Sequence, residues 1–142
     1  EVYAGSKAGD HTKLTFDGPD ESWSLKYNAV WDLLFGSELW PGCFYEQELS
    51  YYEGKQNDYG IPLDSRNTYT KSDWIMWCAA MSDKPEKVEL FAERILRFLS
   101  ESPDRVPFSD WYDTVSSKQI GFQNRTVQGG LFMPLLHKKQ LI

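Results

Sequence analysis

Apolar residues recur along this chain at the three- and four-residue spacing of a helix face, separated by long polar stretches with no period of their own. Tyr27, Val30, Trp31 and Leu34 follow i, i+3, i+4, i+7, and Gly36 supplies a stop, so a first helix is predicted over 22–35. Pro41 suits a first helical turn, and Phe44, Tyr45, Leu49 and Tyr52 then place apolar groups on one side as far as Gly54, which makes helix two. Thr70 with Asp73 resembles a capping box with the shorter carboxylate. It precedes Trp74-Ile75-Met76-Trp77-Cys78-Ala79-Ala80-Met81, apolar nearly all round and therefore expected as a buried third helix.

Ser82 or Asp83 can cap a fourth helix, with Pro85 in its first turn. Val88, Phe91, Ala92, Ile95 and Leu99 form its stripe, and Ser102-Pro103 ends it. A fifth helix starts at Thr126 with Val127, Leu131 and Leu135 aligned, weakened by Gly129-Gly130 and Pro134. Residues 1–21 are polar and aperiodic and read as a loop or the tail of a missing element.

The connections between these helices alternate short and long, with 55–69 and 103–125 as the long ones. That alternation is the pattern of stacked αα-hairpins. The expected fold class is all-α, with 22–142 as two and a half hairpins of a larger ring. In such a repeat the long polar segments emerge at one pole of the bundle, where their side chains converge on a cleft. Dispersal of those segments to opposite ends, or their folding into strands of a sheet, would overturn an amidohydrolase reading and a glycosidase reading together.

Composition narrows the function. Fifteen basic against twenty-one acidic residues give a formal charge of -6, which repels nucleic-acid phosphates and anionic membranes. No window approaches the roughly 20 apolar residues of a membrane span. Cys43 and Cys78 each lie in an apolar stretch without metal-ligand spacing, so two buried free thiols are expected. No cofactor or metal is implied. An aromatic content of 15% points to an aromatic core or a stacking surface.

Three stretches carry candidate chemistry. Lys26 stands in Trp23-Ser24-Leu25-Lys26-Tyr27-Asn28 at a helix start, where it either binds a ligand or solvates the surface. Asp64 and Arg66, with Lys71, Asp73 and Trp74 just beyond, place carboxylates and donors beside aromatic faces. That combination suits a sugar ring or a small polar amide, although Asp73 can equally be a helix-start carboxylate. In the third stretch Asp110 and Asp113 flank Trp111 and are followed by Gln123 and Arg125. Hydrolysis needs one group to give a proton and another to activate water, so Asp73, Asp110 and Asp113 are the candidate catalytic residues. Lys26, Asp64, Arg66, Lys71, Trp74, Trp111, Gln123 and Arg125 are the candidate substrate contacts. Alternatively Asp110 and Asp113 pair with Arg105 or Arg125 and only hold the loop together. There is no dinucleotide or phosphate-binding glycine motif, no HExxH and no nucleophile elbow, and His11 and His137 fall near the two ends.

The stretches WSLKYNAVWDLLFG, YGIPLDSRNTYTKSDW and RVPFSDWYDTVSSKQIGFQNRTVQGGLFMPLL are similar to the C-terminal part of the glutaminase A-like family of fungi and Bacteroides-type bacteria. The resemblance spans about residues 20–136, and KSDW and PFSDWYDT are its most specific motifs. It implies a partial (α/α) toroid of the six-hairpin glycosidase type, preceded by further hairpins and a β-rich region. It also implies a secreted or periplasmic hydrolase that converts glutamine to glutamate and ammonia, with this chain inactive by itself. The fold kinship leaves two alternatives, a six-hairpin glycoside hydrolase and a non-catalytic carbohydrate or interdomain binding module. The partners implied are a small polar substrate, glutamine or sugar, the missing parts of the same domain, and a second copy docked through the truncated face.

Overall fold

The structure is a computed structural model that describes residues 2–104 and 107–139. Its main helices fall in two successive pairs on the apolar runs read from the sequence. In the first, a 3-10 turn at Tyr27–Ala29 leads into α2 (Val30–Phe35), shorter than the helix predicted over 22–35, and α3 (Cys43–Glu53) follows. Gly36 ends α2 in a left-handed conformation with φ of 60°, the stop read from the sequence. In the second, α4 (Ser72–Ala79) is followed by α5 (Pro85–Glu101), with Pro85 in the first turn. A 3-10 segment at Thr126–Phe132 and α6 (Met133–Lys139) take the place of the predicted fifth helix, and Gly129-Gly130 fall in the 3-10 part.

The core is aromatic and continuous. Phe44, Leu49 and Tyr52 of α3, Ile75 and Cys78 of α4, and Phe91 of α5 are all excluded from solvent. Each such side chain removes apolar area worth roughly 2–3 kcal/mol from water. On α5 the buried stripe is Phe91, Ile95 and Phe98, while Leu99, placed in the stripe by sequence, is exposed. Cys78 is buried, but Cys43 at the start of α3 is exposed and corrects the expectation of two buried thiols.

The all-α expectation is overturned by two antiparallel sheets, which make the fold mixed α/β. Residues expected as an N-terminal loop contain α1 (Val2–Ser6) and a two-stranded sheet of β1 (Lys7–Ala8) and β2 (His11–Thr12). The second sheet has the order β3-β4-β5, from β3 (Tyr69–Lys71), β4 (Ser109–Asp113) and β5 (Gln119–Gln123). Its register pairs Lys71 with Trp111, and Trp111 with Gly121, and it shifts between Trp111 and Tyr112. The segment expected as a polar loop before the last helix is thus largely a hairpin laid against the strand that enters α4.

What fastens this sheet to the helices is a buried stack. Tyr112 and Phe98 lie parallel at 3.7 Å, and the Tyr112 hydroxyl donates to the Tyr59 carbonyl at 2.8 Å. Gly60 is required beneath it, because a Cβ there would stand 3.2 Å from the Tyr112 hydroxyl and its φ of 123° excludes other residues. Among the described residues no helix is long and apolar enough to cross a membrane.

Candidate functional site

The sheet edge delivers four of the sequence candidates to one place. Lys71 is the last residue of β3 and Asp73 lies in the first turn of α4, two positions on. Asp110 enters from β4, and Arg125 arrives at the end of the turn after β5. Asp110 is fully buried. Its Oδ2 accepts from Lys71 Nζ at 3.0 Å and from Arg125 Nη2, and its Oδ1 accepts from Arg125 Nε at 3.0 Å. Arg125 therefore grips Asp110 with two donors, the planar geometry to which a guanidinium is suited.

Around this ion cluster stand rings. Lys71 Nζ lies 4.2 Å from the Phe122 centroid and 5.4 Å from that of Trp111, and the Arg125 guanidinium sits 4.1 Å from Phe122. Phe122 reaches both cations because its backbone turns to φ of 60°, laying its ring on Trp111 at 5.1 Å. No signal in the sequence marked Phe122.

Asp73 and Asp110 are pushed in opposite directions. Burial drives the Asp73 carboxyl upward, and the negative charge of Asp110 adds to this, while Lys71 and the first-turn amides pull the other way without prevailing. Asp110 is also raised by burial, but the hydrogen bonds from Arg125 and Lys71 outweigh it and hold the carboxyl below its usual range. Asp73 is 3% exposed, and its Oδ1 has no partner among the described residues. A buried carboxyl pushed upward beside one held below its usual range is the arrangement from which acid and base roles separate.

The lid over Asp73 is the turn at Thr126–Phe132. A Cβ on Gly130 would lie 2.9 Å from Asp73 Cβ and 2.7 Å from Trp77 Nε1, so only glycine lets the backbone come this close. In the sequence this glycine registered only as a weak point in a helix. The capping box read from Thr70 and Asp73 does not form, since among the described residues no side chain caps α4 and Thr70 Oγ1 has no partner.

The other candidates divide. Asp113 does not join Asp110. Its carboxylate accepts from Thr68 and from the backbone and hydroxyl of Ser116, which lock the β4–β5 turn. Asp64 is closed onto Arg66, accepting from its Nη2 at 2.7 Å and its Nε at 3.0 Å. Lys26 uses its ammonium to tie the chain together, donating to Lys13 O, Ser24 O and Ser24 Oγ. Gln123 donates to Gln119 at the exposed strand and makes no side-chain hydrogen bond to the cluster among the described residues. Trp74 stacks on Tyr27 at 4.0 Å and stands 5.9 Å from Lys71 Nζ, so it borders the ion cluster on one side and a cavity on the other. Of the glycosidase candidates Asp73, Asp110 and Asp113, Asp110 is held by Arg125 and Asp113 is turned away to Thr68 and Ser116, which weighs against a paired-carboxylate glycosidase that uses either of them.

Comparison with known proteins agrees with the motifs. The family model described as the glutaminase A six helical-hairpin domain matches residues 1–135. Glutaminase A of Aspergillus oryzae is 33% identical over 129 residues, covering 89% of this chain and 18% of that protein. A probable glutaminase of Arthroderma benhamiae is 28% identical, over 98% of this chain and 19% of its own length. The chain therefore spans less than a fifth of these curated relatives. No solved structure matches.

Proposed function

This chain belongs to the glutaminase A six helical-hairpin family, and from that premise we propose that it supplies the proton-donating wall of a glutaminase-like amidohydrolase. Asp73 carries the proposal. It is a buried carboxyl pushed upward by burial and by its charged neighbour, on the rim of an aromatic and cationic cluster. The β3-β4-β5 sheet meets the condition that overturns both enzyme readings drawn from a common cleft of polar loops, so the amidohydrolase is proposed anew, on Asp73 and the family alone.

In amide hydrolysis water adds to the carbonyl carbon and the nitrogen leaves only after it gains a proton. Asp73, whose carboxyl burial pushes upward, donates that proton as the C–N bond breaks and ammonia leaves. Arg125, with 37% of its side chain exposed, faces the substrate carboxylate, and Asp110 fixes its orientation. Asp64, Asp110 and Asp113 are already engaged by neighbouring donors, so the group that activates water comes from the remainder of the six-hairpin domain. The chain is then one segment of a longer secreted or periplasmic protein and releases no ammonia alone.

Ammonia release from glutamine by the full polypeptide carrying this chain tests the proposal. Asp73→Asn should lower kcat by about 10²–10⁴-fold, the usual share of a general acid. Turnover within a few-fold of the wild type would refute it.

A further inference from the structure

On the far side of Trp74 from the ion cluster lies a cavity of about 420 Å³, within the size range of small-ligand sites, and both Ser24 and Lys26 line it. Lys26 Nζ stands 2.6 Å from Ser24 Oγ. The other partners of that nitrogen are the carbonyl oxygens of Lys13 at 3.1 Å and of Ser24 at 3.2 Å, which can only accept. As an ammonium, Lys26 donates to all three oxygens. After it gives up one proton, the two that remain serve the carbonyls and the lone pair faces Ser24 Oγ. That hydroxyl has no other hydrogen-bond partner among the described residues, so its own proton then turns to Lys26. A serine held against an amine in this way is the pairing on which nucleophilic catalysis by a Ser-Lys couple depends.

The surroundings favour that proton transfer. Burial pushes the Lys26 ammonium down, against the pull of Glu48 on α3, Cys78 on α4 and Asp64, and Glu48 is itself raised by burial. Ser24 and Asp64 pair across an antiparallel bridge, which sets their side chains on one face, and Asp64 holds the Arg66 guanidinium there through Nε and Nη2. Arg66 Nη1 has no protein partner among the described residues, so a cation with a free donor borders the same cavity. Because Arg66 holds the Asp64 carboxyl below its usual range, the described lining offers no carboxylic acid to protonate a departing amide nitrogen. An ester oxygen leaves more readily, and the apolar part of the wall, Leu25, Leu63, Trp40 and Trp74, suits an uncharged acyl group.

We propose that Ser24 and Lys26 are the nucleophile and base of a second site, separate from Asp73 and independent of the amidohydrolase reading, which cleaves carboxylic esters of uncharged acyl groups. Ser24 Oγ bonds to the ester carbonyl carbon as its proton passes to Lys26 Nζ, and Arg66 faces the oxyanion that forms. The C–O bond to the alcohol then breaks, and Lys26 returns the proton to the departing oxygen. Water adds to the acyl carbon left on Ser24, giving a proton to Lys26, and the carboxylic acid leaves as Ser24 Oγ takes that proton back.

The test treats the full polypeptide carrying this chain with p-nitrophenyl acetate and p-nitrophenyl benzoate, and separately with an alkyl fluorophosphonate that traps nucleophilic serines. Release of p-nitrophenolate follows turnover, and peptide mapping by mass spectrometry locates the adducts. The fluorophosphonate should label Ser24, and Ser24→Ala should lose that adduct and lower ester turnover at least tenfold. Lys26→Arg keeps the positive charge but accepts no proton, so it should slow labelling of Ser24 at least tenfold. If Lys26→Arg does not fold, the wild type decides. Its labelling rate at Ser24 should rise with pH to a plateau whose midpoint lies below the ordinary lysine value of about 10.4. An absence of adduct on Ser24, labelling indifferent to Lys26→Arg, or a rate that climbs past pH 10.4 without a plateau overturns the proposal. Each of these results leaves the role of Asp73 in glutamine hydrolysis untouched, since that role is read from ammonia release.

Discussion

Lys71 Nζ and Asp110 Oδ2 meet at 3.0 Å across 39 positions of sequence, joining the end of β3 to β4 at the point where α4 begins. This buried pair, completed by Arg125, sets both the register of the sheet and the electrostatic surroundings of Asp73. Removing the anion leaves two cations facing each other beside aromatic rings.

Asp110→Asn should therefore lower the unfolding free energy by about 3 kcal/mol, near the bottom of the range for breaking a buried pair because Arg125 is partly exposed. Its pH dependence has a definite sign. A carboxyl held below its unfolded value stabilises the fold above about pH 3.9, and that stability is lost as pH falls through the folded value. Urea unfolding between pH 2 and pH 6 should show this acid loss in the wild type and lack that component in the variant.

Asp73 titrates with the opposite sign. Its folded value is raised, so the stability its proton confers is complete below the unfolded value and lost as pH rises through the folded one. Relative to the wild type, Asp73→Asn should gain stability between pH 4 and pH 8, as read from urea midpoints at each pH. A variant that steadily loses ground as pH rises would mean that Asp73 is stabilised as the anion.

Two adjacent glycines should behave differently. Gly130→Ala inserts a methyl group against Asp73 and Trp77 and should destabilise by about 1–3 kcal/mol, as overpacking does. Gly129 has nothing within 4 Å of an added Cβ, so Gly129→Ala should be neutral or slightly stabilising. Thermal unfolding of the pair checks whether the Thr126–Phe132 turn covers Asp73 as described.

At the rear of the sheet, Tyr112→Phe removes the hydrogen bond to the Tyr59 carbonyl and should cost about 1–2 kcal/mol. Phe98→Ala, which opens a cavity beneath the stacked Tyr112 ring, should cost about 3–5 kcal/mol. Denaturant midpoints of the two variants would rank them in that order.

The helical half of the fold was legible because each helix buries a periodic face. Phe44, Leu49 and Tyr52, or Phe91 and Ile95, recur at helical spacing and lie in the core. The sheet was not legible. β3 is three residues long and β4 is Ser-Asp-Trp-Tyr-Asp, whose two aspartates oppose strand propensity and hide a buried, ion-paired Asp110. At the site, Lys71, Asp73, Asp110 and Arg125 could be named from charge and motif, but no rule of spacing separated Asp110 from Asp113. That separation comes from strand pairing, which turns Asp113 to Thr68 and Ser116 while Asp110 meets Arg125. Phe122 and Gly130 were missed because one acts through a left-handed backbone and the other through having no side chain.

Carboxyl carbon-13 NMR of aspartate-labelled protein, titrated in the wild type, Asp73→Asn and Asp110→Asn, tests the divergence of these two carboxyls most directly. The resonance missing from Asp73→Asn should titrate above the usual carboxylate range and the one missing from Asp110→Asn below it. An Asp73 resonance that titrates at or below the ordinary aspartate value would contradict a proton held there for donation.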